Sequence, residues 1–122
     1  MNIRITGHHL AVSDALKRYA RRSLRSSLMR AARHIREIEV RVTDENGPRG
    51  GVDISCRIRL VLSRIGVICV EAIGADAYAT IDSAAARLRS ALARRVGRDR
   101  TRRRRRVDAR DFARAQATPA SA

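Results

Sequence analysis

Apolar residues recur with two different periods along this chain, and the order of those periods constrains its fold more than any other feature. Four segments alternate apolar and polar residues, which is typical of β-strands with one buried face. They are residues 2–6, 37–43, 52–62 and 68–72. Two other segments repeat apolar residues at intervals of three and four, as amphipathic helices do. The predicted order of elements is therefore β-α-β-β-β-α.

Each predicted helix has a start signal and one apolar stripe. Ser13 and Asp14 supply an N-cap and a first-turn acid for the first helix, and Asp76 starts the second. The first stripe consists of Leu16, Tyr19, Ala20, Ser23, Leu24 and Leu28, and the second of Tyr78, Ile81, Ala84, Ala85, Leu88 and Leu92. Gly97 predicts the end of the second helix. Together these signals predict an α+β fold, a two-layer sandwich of a four-stranded sheet with two helices on one face.

Two local features complete the predicted sheet. Residues 46–51 (NGPRGG) form a turn signal between the second and third strands. Strand alternation directs Cys56 inward with Ile54 and Ile58, and directs Cys69 to the opposite face. Side chains on opposite faces of a sheet cannot easily form a disulfide, so both cysteines are predicted to be reduced structural thiols.

Positive charge dominates the composition. The chain has 27 Lys and Arg residues against 12 Asp and Glu residues, a formal net charge of +15 over 122 residues. Such an excess predicts a polyanionic partner, because neutralised phosphates release condensed counterions. Every cation except Lys17 is arginine, which favours bidentate phosphate recognition. The scarcity of aromatic residues argues against proteins that stack single-stranded bases on exposed rings.

The charge is concentrated in two places. Five cations lie opposite the apolar stripe of the first helix, where their mutual repulsion is unfavourable unless something negative covers them. Seven arginines fall within residues 98–106, which have no apolar stripe to bury. The sequence therefore predicts a folded domain at residues 1–97 and an Arg-rich, disordered tail at residues 98–122.

Several functions are excluded by what the sequence lacks. It has no Gly-rich phosphate loop followed by lysine and no nucleophile elbow. His8 and His9 have no acid or cysteine at ligand spacing, so we expect no metal, no cofactor and no enzyme. No apolar stretch approaches the roughly 20 residues that cross a bilayer. We expect a cytoplasmic protein without membrane contact.

Three motifs resemble one known family. Residues 1–9 (MNIRITGHH), followed by residues 12–16 (VSDAL) and Tyr19, resemble the start of the ribosome hibernation-promoting factor family. That family includes ribosome-associated inhibitor A and proteins labelled sigma-54 modulation proteins. Residues 76–82 (DAYATID), continuing to Leu88 and Leu92, resemble its second signature, and residues 46–51 are similar to a hairpin of a proteobacterial branch. The resemblance covers residues 1–95 and points to a short form that lacks the second domain.

The resemblance implies both a shape and a partner. It implies a fold related to double-stranded-RNA-binding domains, and binding to the small ribosomal subunit in the channel for mRNA and tRNA. The expected result is ribosome hibernation, an inhibition of translation in stationary phase or stress. The protein would be monomeric off the ribosome and would have no small-molecule substrate. By position, ribosomal RNA (rRNA) phosphates would contact Lys17, Arg18, Arg21, Arg22, Arg25, Arg87, Arg89, Arg94 and Arg95. Further RNA contacts would come from Arg98, Arg100, Arg102, Arg103, Arg104, Arg105 and Arg106.

The charge leaves a second function open. A general double-stranded RNA- or DNA-binding protein, unconnected to the ribosome, would carry the same excess of arginine. A hydrolase that uses His8 or His9 is a third and weaker alternative. The sequence also leaves open whether the protein promotes ribosome pairing or keeps single ribosomes idle.

Overall fold

Four strands form one mixed sheet in the order β1-β2-β3-β4. This fold is that of a computed structural model, which describes residues 2–46 and 53–117, with side chains described as far as residue 105. The strands are β1 (Ile3–His8), β2 (Ile35–Asp44), β3 (Ile54–Leu62) and β4 (Gly66–Gly74). β1 is parallel to β2, and the other neighbouring pairs are antiparallel. The predicted strands and α+β class are confirmed.

The two predicted helices are also present, and one further helix was not predicted. They are α1 (Asp14–Leu28) and α2 (Ala77–Ala117). A 3-10 helix (Met29–His34) connects α1 to β2 and buries only Ala31. The Ser13 hydroxyl accepts a hydrogen bond from the Leu16 amide at 3.1 Å, as an N-cap does. The Asp76 carboxylate accepts one from the Ala79 amide at 3.3 Å, so both predicted start signals are confirmed.

Aliphatic side chains fill the space between the sheet and the two helices. α1 contributes Leu24 and Leu28, the sheet contributes Ile58, and α2 contributes Ile81 and Leu88, all of them fully buried. Burying such a side chain stabilises the fold by about 1.5–3 kcal/mol. Both helices therefore pack on one face of the sheet, as the sequence predicts, and no helix of the described residues covers the other face.

The two cysteines lie on opposite faces, as predicted. Cys56 is fully buried in the core, and Cys69 is exposed on β4. Both are free thiols. Burial raises the pKa of Cys56 to about 12, because a thiolate is poorly solvated in an apolar core. Cys56 therefore behaves as a small apolar side chain.

α2 does not end at Gly97, so the predicted helix end is wrong. The helix continues to Ala117, and residues 98–117, predicted to be disordered, have helical backbone. Two contacts between residues four apart lie in the helix from Gly97 onward. The Thr101 hydroxyl donates to the Gly97 carbonyl at 2.9 Å, and Arg103 pairs with Asp99 at 3.3 Å. Gly97 does not take the left-handed conformation of a helix-ending glycine. The functional division at residue 97 stays a prediction, and residues 118–122 lie outside the described part of the chain.

Tyr78 is the one residue of the predicted helix stripes that proves substantially exposed. Its exposed fraction is 40%. It lies in the first turn of α2, where its ring makes an edge-to-face contact with Tyr19 of α1 at a centroid distance of 5.0 Å. Tyr19 is half-buried against the core. The periodicity assigned Tyr78 to the correct side of the helix, but the core does not extend to that turn.

Two sequence predictions remain to be placed. The predicted turn at residues 46–51 lies outside the described residues except for Asn46. The Glu45 amide donates a hydrogen bond to the Asp53 carbonyl at 2.8 Å. This hydrogen bond connects the residues on either side of the predicted turn. Within the described residues, no helix has the length and apolar character needed to cross a membrane.

We predict that Gly97→Ala stabilises the protein. Nothing lies within 4 Å of the position that a Cβ at residue 97 would occupy. Alanine in a helix interior is favoured over glycine by about 0.5–1 kcal/mol. Circular dichroism should show higher helicity, and urea unfolding should show higher stability. If Gly97 ended the helix in a left-handed conformation, the same change would destabilise the protein.

The contrasting variant is Gly7→Ala. A Cβ at residue 7 would collide with the Leu10 carbonyl and lie 2.6 Å from the Val12 side chain. This variant should lose stability under the same urea titration.

Candidate nucleic-acid interface

α1 carries its cations on the side opposite its buried stripe. The stripe repeats every four residues and consists of Leu16, Ala20, Leu24 and Leu28. Of the predicted α1 contacts, Arg18, Arg22 and Arg25 are exposed, whereas Lys17 and Arg21 are half-buried at the flanks. The structure therefore brings the five cations together on one helix, with three of them directed into solvent.

Four of these arginines line a shallow depression on the surface of α1. The depression is formed by Arg18, Arg21, Arg22 and Arg25, with Ser26 and Met29 at one end. Arg18 and Arg22 are four residues apart, as are Arg21 and Arg25, and like charges at this spacing repel each other. Met29 is 72% exposed beside them. An anionic ligand would relieve the repulsion.

The four predicted α2 arginines fall into two pairs with different surroundings. Arg87 donates a hydrogen bond from Nη1 to the Glu71 carbonyl. Arg95 donates from Nη1 to the Ile65 carbonyl at 3.1 Å and from Nη2 to the Val67 carbonyl at 3.5 Å. Arg89 and Arg94 are exposed. Arg87 and Arg95 thus hold α2 against the β4 edge, and their contact with RNA stays a prediction.

These hydrogen bonds also protect the edge of the sheet. β4 is an edge strand, and its outward carbonyls would otherwise be available to another strand. Val67 and Ile73 of β4 are 42% and 64% exposed, so the edge has apolar side chains as well. Two guanidinium groups on the outward carbonyls make pairing with a second chain less favourable.

The open face of the sheet places acids beside some of its arginines. In one cross-strand row Glu39 lies between Arg4 and Arg59. In the next row Arg57 pairs with Glu71 at 3.2 Å. Opposite charges on neighbouring strands attract each other. Arg41 lies opposite Arg57 and has no acid beside it in this row, so acids offset part of the positive charge of this face.

The cations of α1 form no such ion pairs with described carboxylates. Among the described side chains, the ion pairs are Arg57–Glu71 on the sheet and Arg103–Asp99 on α2. None of the five α1 cations is within ion-pair distance of a described carboxylate. α1 thus carries five neighbouring cations without an ion-pair partner among the described side chains.

The arginine run of residues 98–106 continues α2 as a helix. Those with described side chains are exposed, and they are Arg98, Arg100, Arg102, Arg103, Arg104 and Arg105. The side chain of Arg106 lies outside the described part of the chain. Since α2 extends twenty residues past Gly97, it spans about 30 Å more at the rise of an α-helix. The run is therefore held on a helix, and its contact with RNA stays a prediction.

Sequence reasoning missed three cations that lie near this helix. Arg30 and Arg33 belong to the 3-10 helix, and Arg64 lies in the turn between β3 and β4. Arg64 lines a small pocket of about 160 Å³ with Arg95, Arg98 and Arg102. The only signal for Arg30 and Arg33 was their spacing of three residues, in a segment for which no element was predicted.

A hydrogen bond between the helices fixes their relative position. The Tyr19 hydroxyl donates to the Asp82 carboxylate, 2.7 Å from each of its oxygens. This hydrogen bond is the largest cause that raises the pKa of Tyr19, because ionisation would place a phenolate beside a carboxylate. In the sequence, Asp82 is the last residue of the motif at residues 76–82. Its contact with Tyr19 depends on helix packing.

His8 is the last residue of β1, and His9 follows it. The rings of His8 and His9 lie in contact, with centroids 4.1 Å apart. Among the described residues, no group of three or more His, Cys, Asp or Glu side chains is arranged to hold a metal ion. The local packing of these rings accounts for their position.

A comparison with sequence families gives one match over most of the chain. The family whose sequence model matches residues 3–100 is described as Sigma 54 modulation protein / S30EA ribosomal protein. A search of curated proteins finds no match. The family match covers every element up to the start of the arginine run and excludes the remainder of α2.

Solved structures share the fold. A ribosomal subunit interface protein from Coxiella burnetii is 21% identical, with a TM-score of 0.66, over 77% of this chain and 96% of that chain. The N-terminal domain of Protein Y from Thermus thermophilus is 28% identical, with a TM-score of 0.63, over 77% of this chain and 98% of that domain. Both similarities leave about a fifth of this chain uncovered.

We predict that the two pairs of α2 arginines differ in their effect on stability. Arg87→Ala with Arg95→Ala should lower the free energy of unfolding by about 0.5–1 kcal/mol for each side chain, because hydrogen bonds to β4 are lost. Arg89→Ala with Arg94→Ala removes the same charge from exposed positions and should leave stability unchanged or slightly raised. Urea unfolding of both double variants compares them. Equal losses would contradict the assignment of Arg87 and Arg95 to the β4 edge.

Proposed function

This chain belongs to the family described as Sigma 54 modulation protein / S30EA ribosomal protein, and we propose on that basis that it is a ribosome-binding inhibitor of translation. The proposed partner is the small ribosomal subunit with its rRNA. The proposed place is the channel for mRNA and tRNA, between the head and body of the subunit. A protein that occupied this channel would keep ribosomes idle during stress or stationary phase.

The observation that carries the proposal is the unequal distribution of charge between the two sides of the fold. The open sheet face sets arginines beside glutamates, whereas the α1 cations have no described acid partner. A rigid surface of exposed guanidinium groups suits the phosphates of structured RNA, which proteins recognise mainly by shape. The side of α1 is therefore the proposed contact with the subunit.

The proposed action is steric. It requires no catalysed reaction, no cofactor and no small-molecule substrate. Most of the affinity should come from phosphate contacts, so binding should weaken steeply as salt rises, while base identity contributes little. The protein would act in the cytoplasm as a monomer until it meets the ribosome.

We predict that Arg18→Glu, Arg22→Glu and Arg25→Glu together abolish inhibition of translation. All three side chains are exposed and lie off the buried stripe, so the variant should fold normally. If each lost phosphate contact costs about tenfold near 0.1 M salt, affinity for the small subunit should fall roughly a thousandfold. Sucrose-gradient co-sedimentation and cell-free translation measure the two effects.

The control variant removes the same number of arginines from the opposite side of the fold. Arg18→Gln, Arg22→Gln and Arg25→Gln should weaken co-sedimentation, whereas Arg4→Gln, Arg41→Gln and Arg59→Gln should not, although both variants lose three charges. These control positions are exposed on the open sheet face. Normal inhibition by the folded α1 variants would overturn α1 as the contact, and a wild-type chain that sediments free of ribosomes would overturn the proposed function.

A second candidate function is a general double-stranded RNA- or DNA-binding protein. The observation that favours it is the arginine-rich part of α2, which extends beyond the family match at residue 100. Such a helix would bind nucleic acid duplexes through charge alone and would not require a ribosome.

We predict that deletion of residues 98–122 separates the two functions. If the ribosome is the partner, the shortened chain should keep most of its co-sedimentation with small subunits, because the α1 cations remain. If the protein is a general binder, the deletion should remove most of its affinity for duplexes and for ribosomes alike. Parallel gradients and electrophoretic mobility shifts with duplex RNA distinguish the outcomes.

A further inference from the structure

A basic groove lies between the 3-10 helix and α2, beside the turn that joins β3 to β4. Its volume is about 720 Å³, within the range of roughly 300–1,000 Å³ found for ligand sites. The basic residues that line the groove are Arg30, Arg33, His34, Arg89, Arg100 and Arg103. Four of these six residues, Arg30, Arg33, His34 and Arg89, lie before the arginine run.

Two elements from distant parts of the sequence supply the two rims. The 3-10 helix contributes Arg30, Arg33 and His34 on one side. α2 contributes the remaining three arginines on the other side, and two of these follow Gly97. The second rim therefore exists only because α2 continues through the glycine.

The α2 rim is long enough for several nucleotides. Arg89 and Arg100 are eleven residues apart, which corresponds to about 16 Å along the helix. That distance is longer than one phosphate group, so the rim can contact more than one phosphate of the same strand. The rim thus fits a strand better than it fits a single small anion.

The floor of the basic groove is largely apolar, although Ser26, Ser27 and Ser63 also line the groove. It is lined by Ala31, Ile65, Leu92, Ala93 and Val96. Leu92 and Ala31 are buried members of the core, and Ile65 and Val96 pack against it. A purely ionic ligand makes no favourable contact with an apolar floor. The flat face of a base can pack against it. Guanidinium planes at the rims can stack on bases as well.

The charge of the basic groove is nearly uncompensated. Asp99 is the one acid in the lining, and it pairs with Arg103 at 3.3 Å. Arg30, Arg33, Arg89 and Arg100 are exposed. A ligand with both phosphates and an exposed base would complement the rims and the floor.

A single-stranded RNA segment has that arrangement, and a duplex does not. An unpaired nucleotide can turn its base toward the floor while its phosphates stay at the rims. A duplex keeps its bases inside and would leave the floor empty. The basic groove also adjoins the arginine depression of α1, since Ser26 lines both.

We propose that the basic groove binds a short single-stranded segment of RNA, with phosphates on the rims of the 3-10 helix and α2 and a base against the floor. This site is separate from the α1 contact of the proposed function. The groove would bind such a segment whether or not the RNA comes from the ribosome.

The experiment measures fluorescence anisotropy of a labelled short oligouridylate with the full chain. Arg30→Gln, Arg33→Gln and Arg100→Gln together should weaken binding about a hundredfold near 0.1 M salt, and should lower the slope of log affinity against log salt by about 2, at roughly 0.7 per phosphate contact. The control Arg4→Gln, Arg41→Gln and Arg59→Gln loses the same charge and should change affinity less than about threefold. Equal losses in the two variants would overturn the groove as the site.

Two further measurements test the nature of the ligand. Inorganic polyphosphate with the same number of phosphates should compete more weakly than unlabelled oligouridylate, because it has no base for the floor. Duplex RNA should bind, but the groove variant should lose little of that affinity. Equal competition by polyphosphate, or an equal loss on duplex RNA, would overturn a single-stranded ligand. Failure of ribosome co-sedimentation would overturn only the proposed function.

Discussion

The packing of two amphipathic helices on a single face of the sheet is the constraint on which the rest of the structure depends. A like-charge pair four residues apart costs a helix about 0.2–0.5 kcal/mol. One buried leucine, such as Leu24 or Leu88, contributes about 1.5–3 kcal/mol. The aliphatic core therefore outweighs the repulsion among the arginines and holds α1 and α2 in place while their outer sides stay cationic. A fold with a weaker core could not concentrate so much charge on one side.

Periodicity made most of this fold predictable from the sequence. Alternation identified all four strands and the opposite directions of Cys56 and Cys69, because side-chain direction in a strand follows from local geometry alone. The end of α2 was not predictable in the same way. A glycine costs a helix only about 1 kcal/mol relative to alanine, and no proline follows Gly97 to stop the helix before residue 117. The 3-10 helix was missed because a single buried residue, Ala31, produces no period.

The sequence identified the cations of the candidate site, but it did not predict which of them bind to β4 and which are exposed. Sequence position assigned Arg87, Arg89, Arg94 and Arg95 to one function. The structure separates them, because the side of α2 that faces the β4 edge depends on how the helix lies across the sheet. The basic groove could not be predicted from the sequence either, since its rims are more than fifty residues apart. An arginine has five donor hydrogens, so a hydrogen bond to β4 leaves donors on Arg87 and Arg95 for another partner.

The uncompensated charge links RNA binding to stability. In the free protein the α1 cations repel each other, and the repulsion acts on the folded state, where the helix holds them close together. A ligand that binds only the folded chain stabilises it in proportion to the logarithm of its concentration, and a polyanion would also remove the repulsion. Dissolved salt weakens the same repulsion by screening, yet it competes with RNA for the arginines. Salt should therefore stabilise the free protein and destabilise its complex. Both effects follow from the α1 cations, which have no ion-pair partner among the described side chains.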